Sequence, residues 1–254
     1  MIWGTFSDTH IATLIFALVF VFILYRILVN HSRKFQILSL FVLSLALAVI
    51  VVYDAMTSKY LPLHWWSLSA LILPYAVLTR GQSSCNLLLL WPVQSLIFLV
   101  FNYDKADMNV LSTQFALYWL THVLIFSIPL ILFWLKLVKR DYKYIRRSIV
   151  LSILTYTAVH FINIAFGTNY LYSTGPDSNS VLVFIRTIFP LDYWYMYALI
   201  PAAFIYLFWW YLPEILDHRR KTKRLKQKLK VIDRYYDEYE DEYIDEIIEE
   251  KYGY

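Results

Sequence analysis

Residues 59–80 read KYLPLHWWSLSALILPYAVLTR, an apolar stretch with a histidine near one end. Its reading decides the fold, because similar stretches recur along the chain. About twenty apolar residues at a rise of ~1.5 Å per residue cross the hydrocarbon core of a bilayer. The chain has 254 residues, of which 59% are hydrophobic, and a mean hydropathy of +0.51. It therefore reads as an all-α membrane protein and not as a string of soluble domains. Nine Trp and 22 Tyr suit aromatic belts at the two interfaces. With five Gly and no GxxxG pattern, helix contacts must rely on Ala, Ser, Thr and interdigitated large side chains.

Seven spans are expected, over about 9–30, 35–57, 60–79, 85–102, 111–138, 146–167 and 189–213. Residues 1–213 form the transmembrane domain and 214–254 a charged tail. No basic residue precedes the first apolar run and no small-residue cleavage site follows it, so that run is read as an uncleaved span. Of the 23 Lys and Arg, 20 fall in or beside alternate loops and in the tail, and only Lys59, Lys105 and Arg186 on the other side. The positive-inside rule then puts the N-terminus outside and the C-terminus in the cytoplasm of a multi-pass cell-membrane protein. The polar loop Thr168–Ser180 is expected to fold over the outer mouth of the bundle.

The tail opens with HRRKTKRLKQKLK from His218. The basic run Arg219 to Lys230 is expected to meet anionic lipids of the inner leaflet. The run Asp237 to Glu250 is acidic, with Tyr and Ile interspersed. It reads as a solvated tail or as a helical extension that pairs its charges or binds a protein partner. Membrane lipids are the main expected partners, and nucleic acid is not among them. One cysteine, Cys85, allows neither an internal disulfide nor a cysteine metal cluster. No metal and no cofactor is expected.

Ionisable groups inside membrane helices are costly and mark function or a buried pairing. His64, His122 and His160 lie within apolar runs, and His10 starts another. Helical spacing puts His64 with Ser67 and Leu71, Gln114 with Tyr118 and His122, and Tyr156 with His160, Asn163 and Gly167. Such polar stripes should face the bundle interior, which suggests an outer-half pocket among the third, fifth and sixth spans. His10 reads equally as an interfacial contact. His160 reads equally as a hydrogen-bonded core residue, and Asn163 reads first as an interhelical bond. Tyr118 and Tyr156 are read as pocket walls, Trp65 and Trp66 as belt residues.

These blocks resemble a known family. FSDTHIATLIFALVFVFILYRIL (6–28) is similar to the start of the bacterial YwaF-like membrane proteins, relatives of the animal transmembrane protein 164 family. LPLHWWS (61–67), LTHVLIFSIPLIL (120–132), NIAFGTNYLYSTGP (163–176) and FPLDYWYMYALI (189–200) resemble further blocks of that family, in the same order. The resemblance implies a seven-helix membrane protein. It also implies acyl transfer to lysophospholipids, since animal members place polyunsaturated chains on ether-linked phosphatidylethanolamine. It makes a third-helix cysteine the acyl acceptor and the fifth-helix histidine, here His122, its partner.

This sequence departs at the decisive place, because the family cysteine falls at Trp66. The reading is then a phospholipid or lysophospholipid acyltransferase with His122 as general base, His64 as second acid/base or headgroup donor, and Ser67 as acyl acceptor. Direct deprotonation of the lysolipid hydroxyl is the equal alternative. His160, Asn163, Asn169, Tyr170 and Tyr118 are the expected substrate contacts, with Asn163, Asn169 and Tyr170 the oxyanion candidates. Two rivals stand beside it. One is a non-catalytic lipid or solute binder or transporter, although no inverted repeat is visible. The other is a lapsed enzyme acting as a scaffold through its tail.

Overall fold

A computed structural model of the chain describes residues 2–4, 6–58, 60–101, 107–175, 180–188 and 211–232, together with Arg234 and Tyr236. The chain divides into two compact units, Met1–Phe208 and Trp209–Tyr254. In the first, the described elements are α1 (Asp8–Val29), α2 (Arg33–Ser58), α3 (Trp65–Thr79), α4 (Gln82–Leu87), α5 (Val93–Phe101), α6 (Thr113–Trp134), α7 (Ile145–Phe166) and α8 (Ser180–Ile188). In the second, residues 211–232 are helical.

Four helices are long and apolar enough to cross a membrane: α1, α2, α6, and α7 with the 3-10 turn that precedes it. They differ in where their surface goes. Only 6% of the apolar window of α1 is buried, against 72% for α6. A helix apolar on every side and exposed to this degree suits lipid as its solvent. Helix α6 is the centre of the packing and touches α1, α2, α3 and α5. Its own Ile125, Ile128, Ile131 and Leu132 are fully buried.

Local chemistry sets the helix ends. The Ser7 hydroxyl caps α1 by accepting the His10 N–H at 3.1 Å, and Ser112 caps α6 by accepting Phe115 N–H at 3.1 Å. The α1–α2 turn is closed by Gln36, whose amide donates to Leu28 O at 3.0 Å and His31 O at 3.1 Å. Helix α7 stops at Gly167, which takes the left-handed conformation at φ 64.

Two expected spans come out differently, and a third is not described. The stretch 60–79 is helical only from Trp65, so His64 is the residue before the helix and not inside it. Pro62 disfavours the helical conformation at Leu61, the residue before it. Leu63 N–H instead closes a tight turn onto Leu61 O at 2.9 Å. The stretch 85–102 is split into α4 and α5 by turns over 88–92, ending at Pro92. The seventh span, 189–213, lies outside the described residues up to its last turn. The acidic run 237–250 and the loop residues 176–179 also lie outside them.

Candidate functional site

A cavity of about 530 Å³ opens where α2 ends, α3 begins and α7 gives way to its loop. Helix α2 supplies Val51, Asp54, Ala55 and Ser58 to its wall. The 60–67 segment supplies His64, Trp66 and Ser67, and the loop supplies Gly167, Thr168, Asn169 and Tyr170. Among these, Asp54 is the only charged side chain. It lies near the C-terminal end of α2, which closes at Ser58. An acid at the end of an otherwise apolar span is the signal by which sequence reading could have added it to the site.

The loop is held to α7 by Asn163, which satisfies its whole amide. Its Nδ2 donates to Tyr170 O and to Ser173 Oγ, both at 2.7 Å. Its Oδ1 accepts from Thr168 Oγ1 at 2.8 Å and Tyr170 N–H at 2.9 Å. Two donors and two acceptors are all an asparagine side chain has. Asn163 is therefore an organiser of the loop, bonded to it and not across to another helix. His160 Nδ1 lies 3.1 Å from Ser173 Oγ, which already accepts from Asn163 and so has its own proton to donate to the ring. Asn169 is also spent on the loop: Oδ1 accepts from Thr174 N–H at 3.0 Å and Oγ1 at 2.8 Å, and Nδ2 donates to Gly175 O at 2.9 Å.

This scaffold forces Leu171 and Tyr172 to positive φ, 56 and 54. Left-handed backbone costs a residue with a β-carbon ~1–2 kcal/mol. One product of that strain is the direction of the Leu171 N–H, which points at His64 Nδ1 at 3.4 Å. A ring nitrogen that accepts a hydrogen bond carries no proton, so neutral His64 bears its proton on Nε2. His64 lines the cavity, and this tautomer suits the headgroup role better than that of a base. The rings of Tyr170 and Tyr172 flank it at 5.7 and 5.8 Å. Tyr170 also ties the loop to the approach to α3, its hydroxyl accepting Leu61 N–H at 2.7 Å.

His122 has the opposite polarity. Its Nδ1 lies 2.8 Å from the carbonyl of Tyr118, which can only accept. The proton therefore sits on Nδ1, and Nε2 is the basic nitrogen. The Tyr118 ring lies 4.2 Å from the imidazole and the Trp66 indole 5.5 Å. Trp66 lines the cavity and His122 does not. The structure thus gathers His64, Ser67, Asn169 and Tyr170 on one cavity. His122 and Tyr118 lie against the far side of one of its walls, and His160 and Asn163 lie within the supports of the loop. Relative to the expected three-helix pocket, α2 is an added wall.

His10 is fully buried and engaged on both ring nitrogens. Nδ1 accepts Phe6 N–H at 2.9 Å, and Nε2 then donates to Leu99 O at 2.7 Å. Among the described residues, no group of three or more His, Cys, Asp or Glu is placed to hold a metal ion.

The model of the TMEM164 family matches residues 5–213. The chain belongs to the TMEM164 family. The match spans the first unit and stops at the start of the tail. It makes this a membrane protein by family as well as by its apolar helices. No curated protein and no solved structure matches.

Proposed function

We propose that this family member is a multi-pass protein of the cell membrane, N-terminus outside and C-terminus in the cytoplasm. Its cavity takes the headgroup of a phospholipid or lysophospholipid, and its reaction is acyl transfer. The support is a cavity lined by His64 and Trp66, with the His122 imidazole 5.5 Å from the Trp66 indole and the two histidines held in opposite tautomers, the Nδ1 of His64 accepting and that of His122 donating. The Asp54 carboxylate favours a headgroup carrying a positive charge.

In this reading His122 Nε2 takes the proton of the acceptor hydroxyl as that oxygen bonds to the carbonyl carbon of the donor ester. It returns the proton to the departing oxygen when the donor C–O bond breaks. Ser67, 2% exposed and on the cavity wall, is the acyl acceptor if the transfer runs in two steps.

One observation favours a second reading, a non-catalytic lipid binder. The indole of Trp66 stands at the family's nucleophile position and between the cavity and His122. The test is transfer of a labelled acyl chain from donor phospholipids to lysophospholipid by purified protein. Transfer by the wild type that His122→Ala reduces by ~100-fold or more supports the enzyme, since general bases contribute ~10²–10⁴-fold. Equal lipid profiles for both proteins across donor classes, with lysolipid still bound in native mass spectra, support the binder.

A further inference from the structure

The helix over residues 211–232 carries the densest basic run of the chain. Eight of the twelve residues from Arg219 to Lys230 are Lys or Arg, and no Asp or Glu occurs between Asp217 and Asp233. Every residue from Leu216 to Ile232 is exposed. Set among these charges are three aliphatic side chains, Leu225, Leu229 and Ile232, at 60%, 50% and 48% exposure. Their spacings of four and three put them on one face of the helix. The same spacing sets Lys221 and Lys228 along one border of this stripe and Arg219 and Lys226 along the other, with Lys223 on the opposite face. The Asp217 carboxyl, bonded to Lys221 at 2.7 Å and lying in the field of Arg220 and Arg224, is held below its ordinary range. One carboxylate against eight cations leaves the helix surface strongly positive.

We infer that this helix docks along the surface of an anionic bilayer, with Leu225, Leu229 and Ile232 among the first acyl carbons and the flanking cations among the lipid phosphates. An aliphatic stripe bordered by Lys and Arg is the pattern of an interfacial helix. The lysine stems widen the apolar face while their ammonium groups reach back to the phosphates. Each Lys or Arg held near such a surface favours the docked state by about fivefold. A second copy of the helix is a poor occupant, because from Arg219 to Ile232 either orientation sets cations against cations. Nucleic acid would use the charge and leave the stripe in water. The match to the membrane-protein family ends at residue 213, so the basic run follows directly on the membrane-borne part of the chain and meets the bilayer at a high effective concentration. The cytoplasmic leaflet follows from the orientation proposed above, but docking on an anionic leaflet is tested without it.

The experiment uses the full-length protein in lipid nanodiscs, with Cys85→Ser and a bimane probe on Leu229→Cys or, in a separate protein, on Lys223→Cys. In discs of mixed phosphatidylcholine and phosphatidylglycerol the probe at 229 should shift to the blue and be quenched by lipids spin-labelled high on the acyl chain. The probe at 223 should stay open to iodide. In discs of phosphatidylcholine alone the probe at 229 should return to water, and high salt should release it from the mixed discs. Lys221→Gln, Lys226→Gln and Lys228→Gln together should lower the ratio of docked to free helix by about tenfold or more. Arginine at the same three positions should keep the helix docked, which separates loss of charge from loss of the helix. Equal exposure of positions 229 and 223 in anionic discs would overturn the proposal. So would burial of position 229 to the same extent in phosphatidylcholine alone. Burial in lipid-free detergent would overturn it as well, assigning the stripe to a second copy if it grows with protein concentration and to an acidic protein segment if it does not. None of these readings involves the cavity, so acyl transfer stands or falls separately.

Discussion

Among the described residues, two tryptophan–histidine pairs have nearly equal spacing and opposite meaning. Trp3 and His10 lie 5.1 Å apart, edge to face, and Trp66 and His122 lie 5.5 Å apart, tilted. In the first pair every polar atom of both rings is tied to the chain around it. His10 bonds Phe6 N–H and Leu99 O, and Trp3 Nε1 donates to Thr13 Oγ1 at 2.8 Å. Trp3 is itself buried with Leu99, Phe115, Trp119 and Val123. This pair joins the N-terminal segment to α1, α5 and α6. The second pair borders a cavity, with the imidazole proton fixed by its own helix and the basic nitrogen on the other side of the ring. A buried histidine is structural when its two nitrogens serve the backbone. It is available for chemistry when the backbone fixes one nitrogen and thereby defines the other.

Exchanging each tryptophan for cysteine breaks the comparison most sharply. Trp66→Cys puts a thiol where the proposed function expects an acyl acceptor, against the His122 imidazole. Incubated with acyl-CoA or phospholipid donors, that variant should gain the mass of one acyl chain, sensitive to hydroxylamine and abolished by adding His122→Ala. Wild type should gain no adduct that neutral hydroxylamine removes, since an oxygen ester on Ser67 would resist it. Trp3→Cys also puts a thiol beside a histidine, but His10 holds its lone pair on Phe6 N–H. That variant should show no acyl adduct and a loss of ~3–5 kcal/mol from the cavity left by a fully buried indole. Acylation of the two variants to the same extent would show that proximity alone decides.

Removing the imidazoles sharpens the same contrast on the stability axis. His10→Ala strands the buried carbonyl of Leu99 and frees the part-buried N–H of Phe6, and should cost about 1–3 kcal/mol. His64→Ala gives up the long 3.4 Å bond from Leu171 N–H and should cost less stability than His10→Ala, yet weaken lysolipid binding. Denaturation in mixed micelles and native mass spectrometry read the two effects separately.

Much of the helical frame is legible in the sequence, for a local reason. Helices α1, α2, α6 and α7 are long apolar runs whose ends are marked by Ser7, the Asn30–Ser32 turn, Ser112 and Gly167, so the chain's own chemistry announces them. The site is legible only in part, because its logic is non-local. Spacing does not separate His10 from His122 when the deciding partner of His10, Leu99, lies 89 residues away. The apolar run around His64 reads as helix throughout, yet the proline two residues before it carries the opposite information. The tautomers of His64 and His122 depend on Leu171 and Tyr118, and the first of those is aimed by a positive φ that no composition rule foretells. Asp54 is visible in the sequence as the polar end of α2, but the loop that makes that end a wall comes from more than a hundred residues later.

The two regions also differ in how tightly they hold their glycines, and this gives the smallest and most discriminating prediction. Gly4 and Gly167 both sit at positive φ, 58 and 64. An alanine at either position meets the same intrinsic penalty, ~1–2 kcal/mol. Around Gly167 a new β-carbon would touch nothing within 4 Å, so that penalty is the whole effect. At Gly4 it would press on Ser7 Cβ and Oγ at 3.2 Å. Ser7 cannot yield without loss, because its hydroxyl bonds Trp3 O and Gly4 O while capping α1. Disturbing a serine cap adds ~0.5–2 kcal/mol. Gly4→Ala should therefore destabilise the protein by about 1 kcal/mol more than Gly167→Ala, read as a lower unfolding midpoint in the same detergent. Equal midpoints would mean that the N-terminal segment is no more tightly built than the rim of the cavity, and the distinction between the two histidines would lose its structural basis.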